Sequence, residues 1–452
     1  MNKNKIIFWT IWVLLLALIL WGVSLLNKST DQIKNPKNTA VWAVNIWILD
    51  DNKTKFNDII NDFKAKNKSF ATTTINIESF SNYADYYNTL STSFIVGKSP
   101  DVFVLNNNEE PIFLEQVDAI SPTEIDPNNF RKWFLQFFWD DLIQSAPITT
   151  EQGEKKVEFL VWIPAGYETL WLFYNRRYVQ AKDVTSWAAI NSVIKTIKEK
   201  NSDVTPIALW NGSTVPYAAD IITQFFLLDG LTGLDKTEGN KMKQGLSSFM
   251  VFWDEAGDNA YNKKIPELRE KWKNALDLFA TDEVSMVAGY PRMLQEVAKR
   301  WFKKSFLSVA PFPNYFLSDG KTLVNYNYFV VNKNSRAIKV GQAFIKYLAS
   351  EAGQKKYLET FPYYLPAQIA LESERLWEKV DPNYSVVLKD FVRDDTVKSS
   401  YNKWLKALYD EEITRVLDDS ENYIAWFEKM KKTLVCKILK ITKFQNLSSD
   451  CN

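Results

Sequence analysis

Strand-like and helix-like patterns alternate along residues 41–105, and this alternation constrains the fold more than any other feature of the chain. The order is a strand at 41–49, a helix from 54, a strand at 72–80, a helix from 83 and a short buried strand at 100–105. In the first helix, apolar residues from Phe56 to Phe63 recur with the i, i+3, i+4, i+7 spacing of one packed face. Strands separated by helices of this length predict a mostly parallel sheet covered by helices, which is the α/β class.

The same alternation returns in the second half of the chain. Helices are predicted at 186–200, 218–228, 293–302 and 337–359, and strands at 206–210 and 284–288. Segments at 159–164 and 170–175 lead out of the first half, and segments at 307–311 and 323–331 lead back. Because 452 residues are more than a single hydrophobic core usually supports, we expect two lobes linked by crossing strands.

The predicted boundaries follow from these patterns. They are a cytoplasmic stretch at 1–5, an apolar anchor at 6–26, a linker at 27–40, lobe 1 at 41–162 with 312–362, lobe 2 at 163–311 with 363–433, and a tail at 434–452.

Residues 6–26 form an uncharged apolar segment of 21 residues, preceded by Lys3 and Lys5. As a helix, this segment would span about 31 Å, which matches the roughly 30 Å hydrocarbon core of a bilayer. The positive flank predicts that the chain starts in the cytoplasm and that the body lies on the extracytoplasmic side. We therefore expect one membrane anchor. A cleaved signal, with Gly22-Val23-Ser24 near the cleavage site, is the alternative.

The composition argues against several classes of function. Histidine is absent from the sequence, so zinc sites and Ser-His chemistry are not expected. Lys and Arg (55) nearly balance Asp and Glu (54), without the basic excess that nucleic-acid binding requires. The two cysteines, Cys436 and Cys451, cannot form a disulfide framework for the core. Phosphate loops and nucleophile elbows are also not found, so we predict a non-enzyme without cofactor or metal.

Tryptophan outnumbers glycine, with 17 Trp against 14 Gly, although glycine usually makes up about 7% of a chain. Trp162, Trp171 and Trp210 stand where a turn or tight packing would suit glycine. We hypothesise that some UGA codons encode glycine in the source organism and appear as tryptophan in this sequence. UGG codons at these positions in the coding DNA would refute the hypothesis. An aromatic-rich sugar site is the alternative explanation, but we do not count these three residues as ligand contacts.

Several short segments carry a family resemblance through their order and spacing. They are Ile46-Trp47, residues 97–102 (Gly-Lys-Ser-Pro-Asp-Val), residues 163–168 (Ile-Pro-Ala-Gly-Tyr-Glu) with Phe173-Tyr174-Asn175, residues 287–292 (Val-Ala-Gly-Tyr-Pro-Arg), and residues 327–331 (Asn-Tyr-Phe-Val-Val) before 343–348. Together they resemble bacterial extracellular solute-binding proteins of the maltose/oligosaccharide-binding class, which serve ABC importers. The resemblance spans about residues 41–375. The chain departs from the family in lacking the expected lipid-attached cysteine and in the tryptophans above.

The resemblance implies a two-lobed periplasmic-binding-protein-like fold with hinge strands and a ligand cleft between the lobes. Ligands of open α/β sheets bind at the carboxyl ends of strands. A sugar there needs carboxylate, amide and guanidinium groups, together with aromatic faces. The candidate ligand contacts are Asp50, Asp51, Asn106, Asn107, Tyr167, Glu168, Asn211, Ser213, Thr214, Tyr217, Tyr290, Arg292 and Tyr363.

Each candidate also has a structural alternative. Asp50 and Asp51 would suit the N-terminal cap of the following helix. Glu168 could be a hinge hydrogen-bonder, Tyr363 could serve packing alone, and the asparagines after the third strand could be ordinary loop residues.

The predicted function is a membrane-tethered receptor that captures a sugar or oligosaccharide by lobe closure and presents it to the membrane subunits of an ABC importer. One alternative is the same fold serving a peptide, a polyamine or an organophosphate. A second is an anchored carbohydrate-active hydrolase, which would need two carboxylates at a set separation. A third is a surface scaffold or adhesin.

Overall fold

The computed structural model describes residues 43–49, 52–81, 83–107, 113–150, 153–209, 215–230, 244–245, 247–249, 274–293, 296–297, 300, 306–314, 322–372 and 396–398. The predicted anchor, linker and tail lie outside these residues. No helix within the described ranges is long and apolar enough to cross a bilayer.

The elements are numbered in chain order. The α-helices are α1 (Lys53–Lys66), α2 (Tyr83–Ile95), α3 (Pro127–Trp133), α4 (Trp139–Leu142), α5 (Trp187–Lys200), α6 (Ala218–Leu228), α7 (Ala275–Ala280), α8 (Ile338–Leu348), α9 (Glu351–Thr360) and α10 (Ile369–Glu372). The strands are β1 (Ala43–Ile48), β2 (Thr74–Ser79), β3 (Val102–Asn106), β4 (Val117–Asp118), β5 (Ile143–Thr150), β6 (Gly153–Leu160), β7 (Ile163–Thr169), β8 (Trp171–Asn175), β9 (Met286–Gly289), β10 (Leu307–Pro311), β11 (Thr322–Asn332) and β12 (Thr396–Lys398).

The larger sheet has the strand order β12-β11-β3-β1-β2, and β4 and β7 also pair with β11. Strands β1 and β3 run parallel, as the strand–helix alternation predicts. The long strand β11 runs antiparallel to both β3 and β7. The α/β class is therefore confirmed, with β11 as the strand that returns the chain to this sheet.

Helix α1 shows how local sequence builds the cover of this sheet. Its N-terminus is capped by Asn52, whose Oδ1 accepts a hydrogen bond from the backbone N–H of Lys55 at 3.1 Å. The buried residues of the helix are Phe56, Ile59, Ile60 and Phe63. The ring of Phe56 packs on Phe329 of β11, with ring centres 5.9 Å apart. The predicted apolar face of this helix is confirmed.

A second sheet, called the smaller sheet below, has the order β10-β8-β9 and is antiparallel. Strands β5 and β6 form a separate antiparallel hairpin. Strand β7 belongs to the larger sheet and β8 to the smaller, with Leu170 alone between them. A second crossing segment touches the first, because the backbone N–H of Phe312 donates to the Leu170 carbonyl at 3.3 Å. The chain thus passes from the larger to the smaller sheet at Leu170.

The segment 337–359, predicted as one helix, forms the two helices α8 and α9. Ser350 begins the second helix, and its hydroxyl accepts the backbone N–H of Gly353 at 3.2 Å. A Cβ on Gly353 would lie 2.0 Å from the backbone oxygen of Tyr347. Only glycine therefore fits the corner between these helices.

Candidate functional site

Four of the predicted ligand contacts meet where the chain crosses between the sheets: Glu168, Tyr217, Tyr290 and Arg292. Glu168 lies near the end of β7 in the larger sheet, whereas Tyr290 and Arg292 follow β9 of the smaller sheet. Tyr217 directly precedes α6. With Asp220 of α6, these residues are called the crossing cluster below.

Glu168 and Arg292 form an ion pair across the crossing. One carboxylate oxygen, Oε1, accepts the backbone N–H of Arg292 at 3.3 Å, and the other, Oε2, lies 3.3 Å from its Nε. The Glu168 side chain is 1% exposed and that of Arg292 is 29% exposed. Burial alone would lower the pKa of Arg292, but the Glu168 carboxylate, together with Tyr217, Tyr364 and Tyr290, outweighs burial, and the pKa lies well above its usual range. Arg292 is therefore a permanent cation beside a buried anion.

Two tyrosines and Asp220 complete the crossing cluster. The hydroxyl of Tyr290 donates to Oδ2 of Asp220 at 3.1 Å. The rings of Tyr217 and Tyr290 meet edge to face, with centres 4.9 Å apart and an interplanar angle of 85°. The guanidinium carbon of Arg292 lies 5.4 Å from the Tyr290 ring centre and 5.7 Å from that of Tyr217, within cation–π range.

The backbone around this pair of rings is specialised. Tyr217 has φ of 59°, a left-handed conformation that is uncommon for a residue other than glycine. A Cβ on Gly289 would lie 1.8 Å from Sδ of Met293 and 3.3 Å from the Tyr217 ring. Glycine at the end of β9 therefore lets Met293 and Tyr217 approach the loop that carries Tyr290 and Arg292.

The crossing cluster offers the polar groups that a hydroxyl-rich ligand needs. Burial raises the pKa of Tyr290 well above its usual range, and the Asp220 carboxylate raises it further. Burial also raises the pKa of Tyr217, an effect that Arg292 partly offsets. Both phenols are thus protonated at neutral pH. The cluster combines phenol and guanidinium donors, carboxylate acceptors and aromatic rings.

Asn106 and Asn107 lie at the carboxyl end of β3, as predicted, and they brace the larger sheet. The Asn106 amide donates to Oδ1 of Asn325 at 2.7 Å and to Oδ1 of Asn327 at 2.9 Å. Asn107 accepts the backbone N–H of Tyr326 at 3.2 Å and so extends the β3–β11 ladder. Each asparagine is 2% exposed. The structure therefore gives both residues cross-strand bracing contacts.

Tyr167 and Tyr363 are also packed inside the protein. Tyr167 exchanges two backbone hydrogen bonds with Leu365, at 3.0 and 2.7 Å, and its ring lies 5.2 Å from that of Phe137. Tyr363 is 5% exposed, with its ring 4.9 Å from that of Tyr364. Tyr364 accepts a hydrogen bond from Asn327 at 2.9 Å, so this aromatic turn joins the asparagine network of β11.

The remaining predicted contacts, Asp50, Asp51, Asn211, Ser213 and Thr214, lie outside the described residues. Asp220 is a member of the crossing cluster that the sequence reasoning missed. Its signal is that Asp220 is the one charged residue of a helix that is otherwise nearly all apolar. Within the described ranges, no group of three or more Asp, Glu, Cys or His side chains could hold a metal ion.

Two of the tryptophans at glycine-like positions are deeply buried. Trp162 is 0% and Trp171 1% exposed. The Trp162 ring stacks on Tyr328 with centres 4.6 Å apart, and its indole N–H lacks a hydrogen-bond partner. Both rings therefore belong to the core of the described residues. Trp210 lies outside the described residues.

A separate half-open cavity of about 430 Å³ lies over β1 and β2, with Trp47, Asn76 and Lys98 among its lining residues. It contains none of the predicted ligand contacts. The crossing cluster therefore remains the candidate site, because it gathers side chains from both sheets.

Solved structures of sugar receptors share this fold. The sugar-binding protein MalE from Xanthomonas citri superposes with a TM-score of 0.65 at 17% identity, covering 88% of this chain and 98% of that one. A cyclo/maltodextrin-binding protein complexed with maltotetraose gives 0.66 at 14% identity, covering 91% and 100%. An ABC transporter associated binding protein from B. animalis subsp. lactis, in complex with β-1,6-galactobiose, gives 0.62 at 15% identity, covering 89% and 98%.

The sequence itself also matches a family. A comparison with curated protein sequences gives no match. The family model described as bacterial extracellular solute-binding protein, however, matches residues 58–380, which is most of the chain. The match begins within α1 and ends after α10, and it includes all of the crossing cluster. The chain therefore belongs to the family of bacterial extracellular solute-binding proteins.

Proposed function

We propose that this solute-binding protein captures a sugar or oligosaccharide by lobe closure and delivers it to an ABC importer. The observation that carries the proposal is the crossing cluster, where Glu168 and Arg292 approach within 3.3 Å beside two tyrosine rings. Hydroxyl groups of a sugar can donate to carboxylates and accept from guanidinium and phenol groups, and its C–H faces suit aromatic rings. Similar structures in complex with maltotetraose and β-1,6-galactobiose support a carbohydrate ligand.

Lobe closure is the proposed mechanism. Glu168 comes from the larger sheet, whereas Tyr290 and Arg292 come from the loop after the smaller one. A ligand that contacts groups from both lobes gains its full set of contacts only when they are closed, so it shifts the population toward closure. The proposed lobes are residues 41–162 with 312–362 and residues 163–311 with 363–433. Strand β7 starts the second of these ranges but pairs with β11 in the larger sheet, so we propose that this hinge strand moves with the first lobe and places Glu168 opposite Tyr290 and Arg292 of the second. No catalytic residue, cofactor or metal is assigned.

A thermal-shift screen of the full chain tests the ligand class. We expect neutral oligosaccharides to stabilise the protein by about 2.7 kcal/mol at 100 times their dissociation constant. Peptides and polyamines serve as comparison ligands. A shift with these alone would reassign the receptor to another solute, and release of smaller sugars during incubation would reveal a hydrolase. A complete lack of shift would favour a scaffold.

For localisation, we propose that residues 6–26 anchor the protein and that its body lies on the extracytoplasmic side. Placing Arg at the centre of a membrane helix costs about 2.5–3.5 kcal/mol per residue. The double variant Leu14→Arg/Leu18→Arg should therefore lose retention in membranes washed with alkaline carbonate, whereas the unmodified chain should stay. Release of both proteins by the wash would contradict a spanning anchor.

A further inference from the structure

Arg292 gives the crossing cluster a group that usually recognises acids. A guanidinium binds planar oxyanions through parallel hydrogen bonds, so an arginine in a sugar site favours carboxylated sugars such as uronates. The Arg292 side chain is 29% exposed and follows the strand end where the family resemblance implies ligand contact. Taken alone, it would predict an acidic ligand.

Glu168 reverses this expectation. Both of its oxygens face Arg292, one at 3.3 Å from the backbone nitrogen and the other at 3.3 Å from Nε. At 1% exposure, the carboxylate has almost no access to water that could replace this partner. A carboxylate on a ligand would compete with an anion that is already in place and would be repelled by it.

Asp220 adds to the repulsion. It is 8% exposed and accepts the Tyr290 hydroxyl at 3.1 Å. The crossing cluster therefore holds two carboxylates and one guanidinium, and the formal charge of these three groups is negative. Juxtaposed like charges suppress wrong partners in binding sites.

We infer that the Glu168–Arg292 pair makes the site selective for uncharged saccharides over acidic ones, with Glu168 as the specificity-determining residue. This inference rests on the proposed function, because it requires a saccharide ligand. The pair leaves Arg292 able to donate to sugar hydroxyls while its charge is balanced. A uronate would need an unpaired cation at this position, and the Arg292 charge is already balanced by Glu168.

The test compares Glu168→Gln with the unmodified full chain by titration calorimetry. Two ligands are used: the neutral oligosaccharide that gives the largest thermal shift, and its counterpart with each C6 hydroxymethyl oxidised to a carboxylate. The unmodified protein should bind the oxidised ligand about a hundredfold more weakly than the neutral one. In Glu168→Gln this ratio should fall by about tenfold or more, because Arg292 loses its anionic partner. The ratio is informative even if the variant binds both ligands more weakly.

Two further variants make the outcome decisive. Glu158→Gln is the matched control, since Glu158 pairs with Arg131 at 2.8 Å in an exposed ion pair; its ratio should equal that of the unmodified protein. If circular dichroism shows that Glu168→Gln does not fold, Asp220→Asn carries the test and should change the ratio in the same direction. Equal or tighter binding of the oxidised ligand by the unmodified protein would overturn the inference but leave a saccharide receptor. An affinity ratio that stays unchanged in folded Glu168→Gln would also overturn the inference and leave a saccharide receptor. A protein that binds neither ligand would overturn the proposed function itself.

Discussion

Tyr290→Ala is expected to abolish the ligand-induced thermal shift and to lower the free energy of unfolding by about 3–5 kcal/mol. The side chain is 2% exposed, its ring packs edge to face on Tyr217, and its hydroxyl donates to Asp220. Truncation therefore leaves a cavity and removes one hydrogen-bond donor from the buried Asp220 carboxylate. Urea denaturation measures the loss of stability, and the ligand screen repeated on the variant measures the loss of binding.

Two control variants separate these effects. Tyr290→Phe keeps the ring and should cost about 1 kcal/mol while retaining most of the ligand shift. Tyr174→Ala removes a tyrosine that is 3% exposed. Tyr174 pairs with Met286 of β9, at the other end of the β8–β9 ladder from Trp171 and Gly289. The Tyr174→Ala variant should destabilise the protein as Tyr290→Ala does, yet keep the ligand shift. If Tyr290→Ala kept the shift as well, the loop after β9 would not be the binding site.

Arg292→Ala is expected to lower the free energy of unfolding by about 3 kcal/mol, because it leaves a buried carboxylate without its cation. This value is at the low end for a broken buried pair, since the arginine side chain is 29% exposed and partly screened by water. Adding Glu168→Gln to Arg292→Ala should recover about 1 kcal/mol or more, because the amide carries no charge to be stranded. Chemical denaturation of the two single variants and the double variant measures this coupling.

The exposed pair Arg131–Glu158 provides the control for this cycle. Its side chains are 30% and 46% exposed, so Arg131→Ala should cost below about 1 kcal/mol and show little rescue by Glu158→Gln. Similar costs and similar rescue in both cycles would mean that the pair in the crossing cluster has no special role in stability.

Local patterns determined most of the secondary structure from the sequence. The face of α1 and the nearly all-apolar helix α6 follow from periodicity, because residues three or four apart in a helix share one face. The stop after α2 follows from Gly97, which has φ of 68° and needs glycine's freedom. The hairpin of β5 and β6 was not predicted. Its apolar residues do not alternate clearly, and its ladder depends on pairing between the two strands.

For the candidate site, the sequence predicts some of the member residues but not their partners. Tyr290 and Arg292 could be singled out because they follow a predicted strand, where ligands of α/β proteins bind, and Glu168 because it lies at the predicted first crossing between the lobes. That Glu168 faces Arg292, 124 positions along the chain, and that Asp220 meets Tyr290, 70 positions away, could not be predicted. Periodicity shows which side of a helix or strand is buried, but it carries information only about residues that are close in sequence. The partner of a buried charge depends on how the two sheets and α6 pack against one another, and that packing depends on the whole chain. The sequence by itself therefore determined the α/β elements and the strand ends, and only the tertiary structure decided which charges meet there.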